Sequence, residues 1–343
     1  MYVDYIIVGQ GLAGTLIALE LQRRGNSFLM IDEHHRVASS VVAAGLFTPV
    51  TGMRLVLTWR AEEMLAFSAQ RYRELEQEFG VSFYHSLKTW RVFQNADELA
   101  LWNTKKSDDR LAPYIGACNL PKDTEIDRGY GGFELCGSGW VDLKRLLGLI
   151  PDEHLRLERF RAEDCRLSSD LVRWRDVSAK GVILCEGFQA ERNAWLSRLP
   201  FRNAHGELLT LRIPNAPQTH IMSSGVFLLP LGDHTFRVGS TYDWDVTVPR
   251  VTEPGKQYLL DRVSSWMPFE MDVLEHHAGI RPIATQRVPV AGRHPDYPGV
   301  NVFNGLGSKG VLYAPYYARQ LVEHLELGTP LDAEVTLEKR LKG

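Results

Sequence analysis

The chain has 343 residues, and Lys plus Arg number 39 against 42 for Asp plus Glu, so its net charge of -3 supplies no bulk positive field to hold a polyanion. Apolar residues at 44% and charged residues at 24% exclude a disordered, collagen-like or low-complexity chain, and the length fits about two domains. Four scattered cysteines, Cys118, Cys136, Cys165 and Cys185, form no CxxC pair, which argues against a disulfide scaffold, a structural zinc site or a dithiol centre and points to the cytoplasm. The apolar start Met1 to Gly14 has no Lys or Arg before Arg23 and carries Asp4, so it reads as a strand and not as a secretion signal. The longest apolar stretches, such as Val41 to Val50 with Gly45 and Pro49 inside it, fall short of the roughly 18 residues of a membrane span, and no transmembrane segment is expected.

Tyr5 to Val8 is a short continuous apolar run, as in a parallel strand buried on both faces. Gly9-Gln10-Gly11-Leu12-Ala13-Gly14 follows, then a helix ending near Gly25, then a strand from Phe28 to Ile31 closed by Asp32-Glu33. Ala61 to Phe79 has helical spacing with Gly80 as its stop, and from Val81 to Gly139 the text changes to short aromatic strands separated by turn residues. Asp142 caps a helix expected to run to Leu149. Gly181 to Gly187 reads as a third buried strand, and strands return at Glu207 to Arg212, Val226 to Leu229 and Thr235 to Val238. The chain closes with a strand Val300 to Phe303, the turn Gly305-Leu306-Gly307-Ser308-Lys309-Gly310 and a helix to about Leu327.

The GxGxxG turn stands in its required context, with a strand before it, a helix after it and an acid beyond. Gly9 permits the tight turn, Gly11 lets a diphosphate approach the backbone, and Gly14 lets helix and strand pack closely, while the helix N-terminus offers free N–H groups to phosphate. Asp32, 23 residues beyond Gly9, is placed to accept hydrogen bonds from a ribose, and its charge disfavours a 2′-phosphate. This spacing alone does not separate FAD from NAD. The adjacent pairs His34-His35 and His276-His277 lack metal-ligand spacing, so no metal is expected. Gly137-Ser138-Gly139 is not a nucleophile elbow.

Several further blocks, in order, resemble the FAD-dependent D-amino acid oxidase superfamily, the group of glycine oxidase, sarcosine oxidase and the oxidase domain of the bacterial bifunctional wobble-uridine-modifying enzyme. They are Ala43-Ala44-Gly45 with Pro49, Val182 to Gly187, His205-Gly206-Glu207, Phe227 to Pro230 with Arg237 to Thr241, Ala278-Gly279-Ile280-Arg281-Pro282, and Gly305 to Gly310 with Ala314-Pro315. The resemblance spans nearly the whole chain. It implies an α/β, two-domain protein in which a Rossmann-type FAD-binding domain (1–78, 140–205 and 276–343) is interleaved with a mainly antiparallel β-sheet substrate domain (79–139 and 206–275). Cofactor contacts are then expected from Gly9, Gln10, Gly11, Leu12, Ala13, Gly14, Asp32, Glu33, Ala44, Gly45, Gly187, Gly305, Gly307, Ser308, Lys309 and Gly310.

The implied chemistry is oxidation of the carbon–nitrogen bond of a small amine or amino acid by hydride transfer to flavin, with oxygen or another acceptor taking the electrons. Arg281 is the expected carboxylate anchor, because a guanidinium offers a bidentate fork; a structural ion pair with Glu275 is the competing reading. Lys309 matches a lysine of sarcosine oxidase near both flavin and substrate. Tyr242 follows Gly239-Ser240-Thr241 at a substrate-facing position, although a buried sheet aromatic is the commoner case. Phe227 stands where glycine oxidase has a tyrosine, which counts against glycine as substrate. Arg54 and Arg60 are candidates for the flavin face. No cysteine lies between Arg281 and Lys309, so FAD is expected to be noncovalent. Three alternatives stay open: a 2-hydroxy acid or quinone-linked dehydrogenase, a tRNA wobble-uridine oxidase, disfavoured by the absent methyltransferase partner and basic excess, and a non-catalytic flavin-binding subunit.

Overall fold

The computed structural model describes residues 1–33, 38–52, 54–118, 126 and 130–342. Two large sheets organise it. The first places the strands Leu155–Arg156, Phe28–Ile31, Tyr2–Val8 and Val177–Leu184 side by side in parallel. Beyond Val177–Leu184 the edge is shared, because its first half pairs antiparallel with Val172–Trp174 and its last three residues pair parallel with Val300–Asn304. Phe28 to Ile31 are buried at every position, as the uninterrupted apolar run requires of a strand covered on both faces. The helices Leu12–Arg23 and Gly310–Leu327 pack together on this sheet, and with Ala61–Phe79 they enclose Leu16, Ile17, Tyr72, Tyr313, Tyr317 and Leu321 in one core.

From Tyr2–Val8 the chain moves to one side to form Phe28–Ile31, whereas Val177–Leu184 lies on the other side. Such a reversal leaves a crevice at the carboxyl ends of the strands, where open α/β sheets bind ligands. Gly9, Asp32, Cys185 to Gly187 and Gly305 to Gly310 all lie just beyond those ends.

The second sheet has the strand order Asp272–Arg281, Ala204–Arg212, Thr235–Gly239, Val226–Gly232, Ile221–Ser224, Thr89–Val92 and Gly132–Leu135. It is antiparallel except where Ile221–Ser224 lies parallel to Thr89–Val92. One face, with Leu209, Leu211, Leu228, Phe236 and Val238, is covered by Leu259 and Val263 of the helix Glu253–Ser264. Leu208, Phe227 and Gly239 point the other way by strand alternation. Two strands of this sheet run through the positions expected as boundaries at 205/206 and 275/276, since His205 pairs with Ile280 and Thr210 with Glu275 in one antiparallel ladder whose register shifts only between Thr210 and Leu211.

Local chemistry accounts for most element ends. Ala61–Phe79 stops at Gly80, which adopts φ 65°. Asp142 caps its helix by accepting from the Arg145 N–H, but that helix ends at Leu147, ahead of Gly148, two residues short of the expected Leu149. The His34-His35 pair lies outside the described residues. Alternation sends His276 and His277 to opposite faces, where they meet Glu207 and Glu275 at 2.7 and 3.2 Å.

Candidate cofactor and substrate cavity

A cavity of about 650 Å³ opens at the crevice. Its wall takes Gly9, Gly11, Leu12 and Ala13 from the first turn, Asp32 and Glu33 from the second strand's end, and Ala44 and Gly45 from the loop after Ser39–Val42. Gly187, Gly307, Ser308, Gly310 and Arg281 complete the expected residues on it. Gln10, Gly14, Gly305, Lys309 and Tyr242 lie off this wall.

The first two of these support it from behind. Gln10 donates its N–H to Asp32 Oδ2 at 2.8 Å, fixing the carboxylate at the rim of the turn. A Cβ on Gly14 would stand 1.9 Å from the Gly9 carbonyl oxygen, so only glycine lets the helix approach its strand this closely. Two helix N-termini converge on the cavity, those of Leu12–Arg23 and Gly310–Leu327, and neither has a side-chain cap from its preceding residue or an acid in its first turn. Ser40 Oγ accepts from the Leu12 N–H at 2.9 Å; the rest of that turn and the dipole are left to attract an anion. Gly187, at φ +56°, has nothing within 4 Å of a Cβ position and so keeps the wall open there.

The opposite wall is the second sheet. Leu208, Phe227, Ser240, Gly206 and Gly279 line it with Arg281. Arg281 Nη2 donates to Ser240 Oγ at 2.8 Å and Nη1 to the His205 carbonyl at 3.2 Å, while its guanidinium sits 4.8 Å from the Tyr242 ring centre. Gly206 makes room for it, since a Cβ there would fall 2.2 Å from the guanidinium nitrogens. The ion pair with Glu275 is not formed. Glu275 instead holds His277 and the Thr210 hydroxyl, the latter at 2.9 Å. Arg281 is thus a cation half-buried on the cavity wall and free of carboxylate partners among the described residues.

The other candidate cations separate. Lys309 donates to Thr58 Oγ1 at 3.2 Å, and burial, aided by the charge of Arg287, holds its ammonium below the usual lysine range. Arg54 is exposed, and its carbonyl accepts from Lys105. Arg60 is consumed by Asp332, Glu63 and the Tyr317 hydroxyl, so it braces the fold. Tyr242 is not a buried sheet aromatic. It follows the end of the strand Thr235–Gly239 and is 48% exposed, with its ring against the Arg281 guanidinium just outside the cavity wall.

Several wall residues escaped the sequence reading. Arg159, Phe160 and Arg161 come from an irregular segment and Arg192 from the end of the short 3₁₀ turn Gly187–Arg192, with no periodicity to announce them. Glu186 did carry a signal, an acid wedged between a buried strand and a glycine. It accepts from Asn193 Nδ2 at 2.8 Å, and burial pushes its carboxyl up to about 7 despite that bond. An acid raised in the fold from 4.5 binds more protons folded than unfolded between these values, so stability falls as pH rises through that window and stays low above it. The thermal midpoint of the flavin-free protein is expected to drop between about pH 5 and pH 7, and Glu186→Gln to flatten that drop. Parallel curves for parent and variant would contradict the assignment.

A glycine turn, an acid at the next strand end and two helix ends without side-chain caps from their preceding residues around one cavity are the marks of a dinucleotide-cofactor protein, and the second wall of the cavity carries Arg281 and Ser240. Comparison with known proteins is specific: residues 4–324 match the family described as "DAO: FAD dependent oxidoreductase", and the chain belongs to that family of FAD-dependent enzymes. Among curated relatives, the tRNA 5-methylaminomethyl-2-thiouridine biosynthesis bifunctional protein MnmC of Legionella pneumophila (strain Corby) is 24% identical over 311 residues, covering 85% of this chain and 46% of its own length. The MnmC of Burkholderia mallei (strain SAVP1) is 25% identical over 340 residues, with 84% and 48% covered. The chain therefore spans about half the length of the curated relatives it matches. In fold it is similar to glycine oxidase from Geobacillus kaustophilus (TM-score 0.77, 20% identity, 98% of each chain). It is also similar to iminodiacetate oxidase from Chelativorans sp. BNC1 (TM-score 0.78, 19% identity, 97% and 98%). No helix among the described residues is long and apolar enough to cross a membrane.

Proposed function

We propose that this enzyme oxidises the carbon–nitrogen bond of a small amine-bearing acid, with FAD held noncovalently in the cavity and Arg281 anchoring the substrate carboxylate. The observation that carries this reading is Arg281 itself, a half-buried guanidinium on the wall opposite the glycine turn, without a carboxylate partner among the described residues. The cavity's residues fit FAD: Gly9, Gly11 and the first helix end would receive the diphosphate, Asp32 the ribose, and Gly307 to Gly310 with the second helix end the flavin side. Bound FAD would supply the two-electron acceptor.

The chain's own part is positioning. Ser240 and the His205 carbonyl aim the Arg281 fork, Tyr242 covers its face, and Phe227 and Leu208 give an apolar wall that keeps water from the reacting carbon. Lys309, held near Thr58, and the end of Gly310–Leu327 add positive potential where negative charge develops on the cofactor. Noncovalent attachment is supported by Cys185. It stands on the wall, and burial holds its thiol far above the range in which it would act as a nucleophile.

Turnover of an amine and amino-acid panel, with the 2-oxo acid or aldehyde product and the released amine quantified under oxygen and under an artificial acceptor, tests the reading. Formation of such a product supports it, and oxidation only of 2-hydroxy acids overturns it. Asp32→Ala is expected to weaken FAD retention by about tenfold or more without unfolding the chain; a variant purified with full flavin content would contradict the ribose assignment.

The MnmC relatives favour a second reading, in which the amine to be oxidised is carried on tRNA. Retention of tRNA at moderate salt, with oxidation of its wobble-position modification, would support that reading over a free amino acid.

A further inference from the structure

Outside the cavity, four segments of the chain meet at one lip. The Arg202 N–H donates to the Ile283 carbonyl at 2.7 Å, Phe201 bridges to Ala284, and Ile283 bridges to Leu306, which ties the 200–205 segment to the strand end at Arg281 and to the Gly305–Gly310 turn. On this platform a row of alternating cations and rings runs outward from the anchor. Arg281 lies 4.8 Å from the Tyr242 ring centre, Tyr242 meets Trp244 edge-on at 4.9 Å, and Arg202 lies 4.4 Å from the Trp244 ring centre.

Arg287 joins them. Its N–H donates to the Ala284 carbonyl at 2.7 Å, which seats it on the same platform beside Phe201, and its charge acts on both the Tyr242 hydroxyl and Lys309. Arg202 and Arg287 are both exposed, and neither has a carboxylate partner among the described residues. The neighbouring acid Asp243 turns its Oδ1 to the Asp245 N–H at 2.8 Å. Cation–ring stacking uses the face of Arg202 and leaves its N–H edge free, which is the geometry that receives a carboxylate or phosphate.

We infer that this lip is a subsite for a second anionic group of the substrate, so that the preferred substrate is an amino diacid, with one carboxylate on Arg281 and the distal acid on Arg202 and Arg287. This rests on the proposed oxidation of an amine-bearing acid at the same cavity. In a chain of net charge -3, these cations beside Arg281 act as a local selector.

The test compares each diacid with its methyl-terminated isostere, glutamate with norvaline and 2-aminoadipate with norleucine, in both enantiomers, and includes 2-amino-4-phosphonobutyrate as the phosphonate probe. The holoprotein is titrated, with Kd read from flavin absorbance perturbation and kcat/KM measured in parallel. At least one diacid is expected to bind about tenfold tighter than its isostere. The Arg202→Gln, Arg287→Gln double variant is expected to lose that preference while binding and oxidising the monoacids as the parent does. Equal Kd values across each pair, or a preference that survives in the variant, would overturn the subsite. Oxidation of monoacids without any preference removes the subsite and leaves the amine-oxidising reading intact, whereas a flavin that no member of the full amine and amino-acid panel reduces removes both. Binding of tRNA at moderate salt that depends on these two arginines, with no diacid preference, would overturn the diacid assignment in favour of RNA.

Discussion

Replacement of Arg281 by alanine is expected to lower kcat/KM for the amine-bearing acid by about 100-fold to 1000-fold, mostly through KM, with flavin content unchanged. The size follows from what the side chain does. A half-buried guanidinium that has exchanged water for Ser240, the His205 and Thr241 carbonyls and the Tyr242 ring is oriented before substrate arrives, so turning it to a carboxylate costs little. Burial lowers its proton affinity, but an arginine so placed stays charged at any working pH. Arg281→Lys keeps the charge and loses the fork, and is expected to fall between parent and alanine variant. Gly206→Ala tests the same point from the other side, because its methyl group would stand 2.2 Å from the guanidinium and must displace it without removing it. Steady-state kinetics with flavin quantified in each preparation checks all three. An alanine variant with parental kcat/KM would end the anchor assignment.

The second large effect is expected at Gly14. A Cβ there meets the Gly9 carbonyl oxygen at 1.9 Å and Ile7 Cγ2 at 3.3 Å, so Gly14→Ala must push the helix Leu12–Arg23 away from the strand Tyr2–Val8. Both the stability of the first core and the shape of the turn depend on that contact. A loss of about 3 kcal/mol is expected, together with loss of most bound flavin. Gly25→Ala is the control. Gly25 has φ +74° with nothing within 4 Å, so only the backbone penalty of about 1 kcal/mol applies and flavin content should hold. Urea midpoints and flavin-to-protein ratios distinguish the outcomes, and equal effects at the two glycines would contradict the packing argument.

The parts of the site that were legible in sequence are those whose chemistry is local. A turn needing φ of 104° at Gly9, a close approach needing no side chain at Gly14 and an acid at the next strand end are written within 33 consecutive residues. The helix Ala61–Phe79 was legible for the same reason, its charge pattern and Gly80 stop being contained in one segment.

What was hidden depends on distant pairing. Leu155–Arg156 is a two-residue strand made visible only by Phe28–Ile31 beside it, and the wall at Arg159 to Asp164 follows from that docking. The ladder of Ala204–Arg212 with Asp272–Arg281 runs through two expected boundaries because antiparallel pairing needs no composition change. Tyr242 reads as a sheet aromatic in sequence, yet its strand ends at Gly239 and the ring turns outward over Arg281. Arg60 and Arg281 look alike in sequence, and only the fold brings Asp332 to the first and leaves the second without a carboxylate partner among the described residues.

The most direct test is the anaerobic mixing of the purified holoprotein with a panel of amines and amino acids while the flavin absorbance is followed. At least one amine-bearing acid should bleach the flavin in the parent, and the same compound should do so far more slowly or only at much higher concentration in Arg281→Ala. A flavin that stays oxidised against the complete panel, or that bleaches equally in parent and variant, would contradict the central claim.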